Sequence, residues 1–485
     1  MELLLRGELE LELERGDQAG VLHDPLLGRN VTLGPAGVAL AVALQEPWEL
    51  AGLLELLDGK GVDRPKVEAS LRLFAMLHLL DGIGDDVRAT IRGIWAGGIE
   101  LPYRQLPGAR HACQGSGMCC RSYRLGPVTE NEVARISALP LHDALPDLPA
   151  DGVFTTIEGR SFLKSVGAQC VFLGADNLCR LHAQFGEAAK PIACREYPAA
   201  VKATYREALV YNNHQCASHF VALMRGPALI DAARLTGKTM TGEVTLLHPI
   251  VFAHETTPVD YVQFLELESA LRAAMAAGPP LDQLAHAPAI VDSFVAAARA
   301  LPLGVDPTPH FAAWRAQVAL AGPSPAPAPT EDQRGDAAAL FDALVDYASS
   351  LHAGPTAVDT DMRPLVSELL PVLASLQLGI EKVVPGRAVP ALGEPFASAL
   401  TLSLGQAFAG GLSLSDDRPL SAIGQHALAI ACAFAGARER TLEALGRGHM
   451  LANRVLLPYT RMVFRTQPEL VRALVAVLPA LVASA

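Results

Sequence analysis

Basic residues are scarce in this sequence, and they form no block. The 485 residues include 39 lysine and arginine residues against 51 aspartate and glutamate residues, a formal net charge of −12. A protein that binds nucleic acid needs a basic face to neutralise phosphates. We therefore expect no nucleic-acid partner. Hydrophobic residues make up 50% of the chain, enough for more than one core, and the length predicts about three or four domains.

Features of a secretory signal are also lacking. Residues 1–6 run directly into alternating glutamate and leucine, without a basic start, a continuous apolar run or a cleavage site. No uninterrupted apolar stretch approaches the roughly 20 residues that span a bilayer, and the nearest, 473–485, contains Pro479. We therefore expect a soluble cytoplasmic protein with no membrane partner.

Cysteine is nearly absent outside one segment. Cys432 lies in an apolar helical context and is predicted to be a small core residue. The other seven are Cys113, Cys119, Cys120, Cys170, Cys179, Cys194 and Cys216. Thiols stay reduced in the cytoplasm, where grouped cysteines are more often metal ligands or catalytic groups than disulfides. A metal site is therefore the main hypothesis, and a disulfide or redox pair is the alternative.

The first segment, residues 1–85, has the pattern of a small folded unit. Residues 8–14 alternate strictly between glutamate and leucine, which predicts a half-buried strand. Residues 21–33 predict a hairpin, and three helical patterns begin at Pro35, Pro47 and Pro65, the last ending at Gly82. This order, with His23-Asp24-Pro25 and Thr32-Leu33, resembles the PqqD-like family of winged-helix modules. The resemblance implies binding of a peptide or protein by strand addition; a purely structural winged helix is the alternative.

Local patterns within the cysteine segment predict several turns and one helix. Gly115 and Gly117 allow a tight turn that brings Cys113 beside the adjacent pair Cys119-Cys120. Thr129 and Glu132 have the spacing of a capping box, which predicts that a helix starts there. Residues 174–177 separate two apolar pieces and predict a hairpin with Cys170 on one arm and Cys179 on the other.

This succession resembles the YkgJ-like cysteine-cluster family, which is described as zinc- or iron-chelating. Ser116 stands where that family usually has its second cysteine, and Lys190 replaces the usual arginine before Pro191. We predict that Ser116 is not a ligand, because a hydroxyl is a poor donor to soft metals. The matching residues are Cys113, Cys119, Cys120, Glu132, Cys170, Leu173, Cys179, Cys194, Arg195, Tyr197 and Pro198.

Flagellin lysine N-methylases share this cysteine pattern and a long helical remainder. That resemblance implies S-adenosylmethionine and an iron–sulfur cluster as cofactors. The sequence shows no glycine-rich methyltransferase loop after a strand, and no C-x3-C-x2-C motif of radical S-adenosylmethionine enzymes. Methylation of a protein or peptide therefore rests on family analogy.

Sets of thiolates suit zinc or an iron–sulfur cluster. Seven thiols exceed the four that one zinc ion or one 4Fe–4S cluster needs, so either some are spare or two sites share them. Nearby nitrogen candidates are His111, His182, His214 and His219, each with an ordinary surface or hydrogen-bonded role as the alternative. His182 follows Cys179 by three residues. Arg195 is predicted either to neutralise thiolate charge or to form an ordinary salt bridge.

The rest of the chain is predicted to be helical. A proline- and alanine-rich linker at 321–330 separates helices in 221–320 from those in 336–485. This half contains no sequence pattern of a Ser-His-Asp catalytic triad, no P-loop and no G-x-G-x-x-G motif. Asp416-Asp417 is interpreted as part of a solvated loop. The predicted fold is mainly α with small β elements: a winged-helix-like module (1–85), a cysteine-rich metal domain (100–220) and a C-terminal helical region. The functional hypotheses are a metalloprotein that modifies a protein or peptide, and a non-catalytic interaction protein stapled by zinc.

Overall fold

The chain is mainly α-helical, with small sheets of two or three strands, as its sequence predicts. The structure is a computed structural model, and Asp416-Asp417 lie outside the residues it describes. Those residues are 2–13, 19–26, 29–96, 98–111, 113–167, 169–229, 250–254, 257–301, 307–322, 326–354, 357–383, 392–408, 419–437 and 441–484.

The strands are short and lie mostly in the first half of the chain. They are β1 Glu2–Leu3, β2 Glu10–Leu13, β3 Gly20–Asp24, β4 Arg29–Leu33, β5 Trp48–Glu49, β6 Tyr103–Gln105, β7 Phe154–Ile157, β8 Arg160–Leu163, β9 Ser165–Val166, β10 Gln169–Cys170, β11 Ala199–Ala203, β12 Ala208–Asn212, β13 Ile250–His254 and β14 Thr257–Asp260.

The helices lengthen toward the C-terminus. They are α1 Pro35–Ala43, α2 Leu50–Gly59, α3 Arg64–Met76, α4 Asp85–Trp95, α5 Met118–Ser122, α6 Glu130–Ser137, α7 Leu141–Ala144, α8 Arg180–Phe185, α9 Ile192–Glu196, α10 His219–Arg225, α11 Tyr261–Ala277, α12 Pro280–Ala300, α13 Pro307–Ala321, α14 Glu331–Ala353, α15 Ala357–Glu381, α16 Phe396–Gln406, α17 Pro419–Gly436, α18 Leu442–Thr466 and α19 Pro468–Ser484. A 3₁₀ turn spans Glu187–Ala189.

The first segment has its own hydrophobic core, built from residues between 3 and 80. Its antiparallel sheet has the order β2-β3-β4, and three helices follow, as the sequence predicts. Their bounds differ from the prediction: α2 starts at Leu50 and not at Pro47, because Trp48–Glu49 form β5, and α3 ends at Met76, before Gly82. The expectation of a half-buried strand at 8–14 is wrong in one respect. Leu13 is 41% exposed, because β2 lies at the edge of a three-stranded sheet and little packs on it.

Helix α4, which the sequence analysis missed, joins this segment to the remainder. Arg88 on α4 is 1% exposed, and its guanidinium lies 2.6 Å from Glu8 Oε1 and 3.2 Å from Asp24 Oδ2. Val87 and Ile91 on the same helix belong to the large core of the C-terminal half. The helix therefore pairs its charge with the first segment and packs its apolar side against the helices.

One hydrophobic cluster runs through helices α11 to α19 and includes buried residues on both sides of the 321–330 linker. Helix α13 ends at Ala321, and α14 starts at Glu331, five residues before the expected 336, behind a capping box at Thr330. The hairpin of β13 and β14 also interrupts the helices predicted for 221–320. Its sequence, Ile-Val-Phe followed by Thr-Thr-Pro-Val, is rich in β-branched residues, which favour strands.

Within the described part of the chain, two helical stretches are long and apolar enough to cross a membrane by length and composition alone: Met362–Glu381 and Pro419–Gly436. The number rises to three if Leu442–Thr466 and Pro468–Ala483, bent by 113°, count as one span. The stretch Pro419–Gly436 is 83% buried within the protein. Its apolar side chains therefore serve the core of the helical half.

Candidate metal centre

All seven clustered cysteines line a single cavity of about 620 Å³. The wall is built from residues between 111 and 218, so it comes from one continuous stretch of chain. Cys113, Ser116, Leu178 and His182 are exposed, and Cys170, Phe172 and Cys216 are buried. The cavity therefore opens to solvent on one side and reaches into the protein on the other.

The two glycines of the opening motif adopt the conformation that the predicted turn needs, and the approach of Cys113 to the pair stays a prediction. Gly115 and Gly117 have φ values of 64° and 65°, which favour glycine, and a Cβ on Gly117 would lie 2.7 Å from the Arg121 side chain. Helix α5 follows and carries both Cys119 and Cys120, whose Sγ atoms are 3.9 Å apart. The Gly115 N–H donates to Cys113 Sγ at 3.4 Å, which turns Cys113 back toward the cavity.

Cys170 and Cys179 flank a tight turn, but the expected hairpin forms only in part. Cys170 ends β10, which pairs with β9, and a single bridge joins Leu173 to Cys179. The Gly174 N–H donates to the Leu178 carbonyl at 2.8 Å to close the turn. Cys179 then takes the N-cap position of α8. The second arm is replaced by a helix, because the chain turns into α8 directly after this residue.

Glu132 connects the start of α6 to the segment that carries Cys194. The predicted capping box is present: Thr129 Oγ1 accepts from the Glu132 N–H, and the Thr129 N–H donates to Glu132 Oε2 at 3.0 Å. The other carboxylate oxygen accepts from the Ile192 N–H at 2.6 Å. Burial raises the pKa of Glu132, but these hydrogen bonds outweigh it and hold the pKa below its usual value.

The deep wall of the cavity is fixed by two tyrosines. The hydroxyl groups of Tyr123 and Tyr197 both donate to the Gln215 carbonyl, at 2.6 and 2.7 Å. Their ring centroids are 5.6 Å apart. Because Gln215 precedes Cys216, this pair positions Cys216 relative to α5 and to the segment after α9.

Burial and charge divide the thiols into two kinds. Burial raises the pKa of Cys170 to about 11, and those of Cys194 and Cys216 to about 12. A hydrogen bond from Cys120 and the nearby charge of Lys190 lower the pKa of Cys119 to about 7. Cys119 is therefore the thiol most readily ionised, and a bound cation would have to supply the charge that ionises the buried ones.

The candidate residues do not all reach the cavity. His111 and His182 line it, as do Ser116 and Lys190. Arg195 is not among the lining residues, and the cation beside the thiols is Lys190. His214 and His219 point away, into a cluster with His426 and His449. No motif in the local sequence indicates a site at His426 on α17 or at His449 on α18.

The donor set fits a thiolate-bound metal. Two thiolates on one tetrahedral zinc ion lie roughly 3.8 Å apart, from Zn–S bonds of about 2.3 Å, and Cys119 and Cys120 meet this spacing. Among the described residues, no three thiols have sulfur atoms that all lie within 4.8 Å of one another. A cluster of several metal atoms suits such a spread, because its own atoms separate the ligating sulfurs.

The C-terminal helices reach this centre. Arg454 on α18 donates from Nε to the Ser122 carbonyl at 3.0 Å, and its guanidinium lies 5.1 Å from the Tyr123 ring centroid. The Asn212 N–H donates to Gln406 Oε1 at 3.1 Å. The helical half therefore covers the back of the cavity. Comparisons of the chain with models of protein families, with curated proteins and with solved structures find no match.

Proposed function

We propose that this protein holds a metal centre ligated by cysteine thiolates, an iron–sulfur cluster or zinc, in the cavity between α5, α8 and α9. The observation that supports it is the presence of all seven clustered cysteines in the wall of one cavity. Reduced thiols of this number imply a reducing compartment such as the cytoplasm. The ligand pool is Cys113, Cys119, Cys120, Cys170, Cys179 and Cys194, with the buried Cys216 as a further candidate.

We favour an iron–sulfur cluster over a single zinc ion. The cavity is far larger than one ion needs, and its wall carries all seven thiols. A zinc ion would use four of them and leave the others as free thiols in its surroundings. A cluster would also leave room at the open side, where Cys113 and His182 are exposed, for a side chain of a substrate.

The protein is proposed to act on a protein or peptide, in keeping with its resemblance to flagellin lysine N-methylases. In that reaction a neutral lysine amine takes a methyl group from S-adenosylmethionine, releasing S-adenosylhomocysteine and a proton. The winged-helix-like first segment would bind the substrate. Its edge strand β2 carries the exposed Glu10 and Glu12, which favour a positively charged segment.

Anaerobic purification with metal and sulfide analysis tests the proposal. We predict broad visible absorbance and bound iron, and we predict that the Cys119→Ser/Cys120→Ser variant loses most of its metal and melts at a lower temperature. Metal binding and folding are coupled at such sites, which explains the joint loss. Ser116→Ala is the matched control from the same motif, and it should keep its metal because serine is not a ligand.

Unchanged metal content and melting in the double variant would contradict the metal centre. A colourless protein with bound zinc, and with no methyl transfer from labelled S-adenosylmethionine to lysine-containing peptides, would favour the second hypothesis. In that case the thiols staple a non-catalytic interaction protein.

A further inference from the structure

Three histidines from distant parts of the chain converge beside the cysteine cavity: His426 and His449 are buried, and His214 is partly buried with both ring nitrogens inside the protein. His214 lies between β12 and α10, His426 lies on α17, and His449 lies on α18. Their candidate ligand nitrogens all lie within 4.8 Å of one another. The His214 ring centroid is 4.5 Å from that of His426 and 6.0 Å from that of His449. The fold thus brings three imidazoles to one point.

Three ring nitrogens at this point lack hydrogen-bond partners among the described residues. Both ring nitrogens of His214 are buried without a partner, and so is Nε2 of His449. Buried polar atoms in native proteins are nearly always satisfied, by protein, water or an ion. A metal cation at the centre of this trio would accept the lone pairs of these nitrogens.

The contacts of His449 favour the tautomer that binds metal through Nε2. Its Nδ1 lies 3.1 Å from the His214 carbonyl oxygen, which can only accept and therefore takes a proton from Nδ1. Asn453 Nδ2 lies farther from Nδ1, at 3.3 Å, and donates to the His449 carbonyl oxygen at 2.9 Å. Nε2 then carries the lone pair. Histidines that ligate metals commonly donate their other ring N–H to a backbone carbonyl in this way, which orients the ring.

We propose that His214, His426 and His449 bind a divalent first-row transition metal, with Zn²⁺ as the best fit. This site is separate from the cysteine centre and goes beyond the function proposed above. Imidazole donors suit zinc and its neighbours and are poor ligands for magnesium or calcium. Three histidines leave a fourth position of a tetrahedral ion open for water, as in catalytic zinc sites.

His219 supports the site without belonging to the trio. Its Nε2 lies 2.8 Å from Ser403 Oγ, and its ring stacks on His449 with an angle of 4° between the planes and 5.3 Å between centroids.

One loop faces both sites. Asn213, Gln215, Cys216, Ala217 and Ser218 line the cysteine cavity, whereas the His214 side chain points to α17 and α18. A metal on the histidines would therefore tie this loop to the helical half of the protein.

Metal analysis of the full-length protein tests the site. After removal of weakly bound ions, the protein is titrated with Zn²⁺ and, in parallel, with Co²⁺ as a spectroscopic probe. We expect His426→Gln and His449→Gln to lower the metal content by about one equivalent. Loss of a direct ligand should lower the affinity for the metal more than roughly 100-fold, which is the largest effect typical of residues that only hydrogen-bond to a ligand. His310→Gln is the matched control, since His310 is a partly buried helical histidine that bonds the Ala297 carbonyl.

The two sites can be told apart. Sulfur-to-metal charge-transfer absorbance should persist in the histidine variants, and the histidine-bound metal should persist in Cys119→Ser/Cys120→Ser. Should the histidine variants fail to fold, X-ray absorption at the zinc edge of the wild-type protein decides, with a nitrogen-rich component expected beside sulfur. Purely sulfur scattering, or histidine variants with wild-type zinc content and affinity, would overturn the proposal.

Discussion

Glu132 shows how one side chain can hold two parts of the candidate site together. Its carboxylate accepts hydrogen bonds from the Thr129 backbone, the Thr129 hydroxyl and the Ile192 backbone. The first two close the N-terminus of α6, and the third holds the segment two residues before Cys194. A charged acceptor with several donors contributes more than a neutral one, because hydrogen bonds to charged groups are stronger.

We predict that Glu132→Ala destabilises the protein by about 2–3 kcal/mol, because it removes a cap and leaves buried donors unsatisfied. The same variant should bind its metal more weakly, since the segment of Cys194 loses its anchor. Urea unfolding and metal content are the measurements. Glu130→Ala changes an exposed carboxylate in the first turn of the same helix, and it should cost no more than a few tenths of a kcal/mol. Equal effects of the two variants would contradict this role.

Glu268 makes the stability of the helical core depend on pH. Its side chain is 3% exposed, Oε1 lies 3.3 Å from Arg272 and 3.6 Å from Arg104, and Oε2 is buried without a partner. Burial outweighs both arginines and raises the pKa of Glu268 to about 7. Between the ordinary pKa of glutamate and pH 7, the folded protein therefore binds more protons at this group than the unfolded chain does.

Stability should consequently fall as pH rises through that window. We predict that wild type loses up to roughly 3 kcal/mol more than Glu268→Gln between pH 5 and pH 8, since a shift of one pKa unit corresponds to about 1.4 kcal/mol. Urea unfolding of both proteins at the two pH values measures the difference. Parallel pH profiles for the two proteins would show that Glu268 is already ionised in the folded state.

At the level of elements, short-range patterns predicted what forms locally. The hairpin of β3 and β4, helices α1 to α3 and the Thr129 capping box all follow from turn residues and apolar spacing within a few positions. Helix α4 was missed although its sequence carries the signal, because Val87, Ile91 and Ile94 repeat at the spacing of an amphipathic helix. The hairpin of β13 and β14 was missed because the surrounding sequence is rich in alanine and leucine.

The same limit applies to the candidate sites. The cysteines lie within about 100 residues of one another, and their grouping is visible without a structure. His426 and His449 meet His214 only through the packing of α17 and α18, and nothing in the local sequence of either helix encodes that meeting.

The edge strand β2 is the element that we expect to recognise a partner. The Glu12 side chain is 75% exposed, and its Oε2 lies 3.2 Å from Nε2 of His23 on the neighbouring strand. Glu12 therefore lies on the solvent-exposed face of the sheet. We predict that Glu10→Lys/Glu12→Lys weakens binding of an extended lysine-rich peptide about 3- to 10-fold, the effect of losing two exposed ion pairs. Fluorescence anisotropy with a labelled peptide measures it.

Glu46→Lys/Glu55→Lys is the matched control, because both residues are exposed in the same segment and the change in net charge is identical. This control should lower affinity less than twofold. If both variants weaken binding equally, the effect is one of net charge, and β2 is not the recognition edge. Deletion of residues 1–85 is a poorer test, since it removes Glu8 and Asp24 and leaves Arg88 buried without its partners.

At the scale of the whole molecule, the cysteine cavity contacts the helical half, and the first segment has its own core. Arg454 and Gln406 contact the back of the cavity, and α4 links the first segment to the large hydrophobic cluster. Stability is therefore not uniform along the chain. The cysteine region has only a small cluster of its own, and it should depend most on bound metal.

We predict that removal of metal by a chelator under reducing conditions raises amide hydrogen exchange in residues 113–218 by about 100-fold or more, because metal binding contributes directly to local folding. Exchange in β3 and α1 to α3 should change less than about threefold. Hydrogen exchange followed by mass spectrometry resolves the two regions. A uniform increase across the chain would mean that the metal stabilises the protein globally and not this region.

The spacing of the site residues along the chain also sets an order of assembly during synthesis. Every residue of the cysteine cavity lies within 111–218 and leaves the ribosome before the helices of the C-terminal half, so this centre can take up metal on the nascent chain. The histidine site also needs α17 and α18, which are translated long after His214. We therefore expect this site to form only once α18 has left the ribosome, and chains truncated before α18 to lack it.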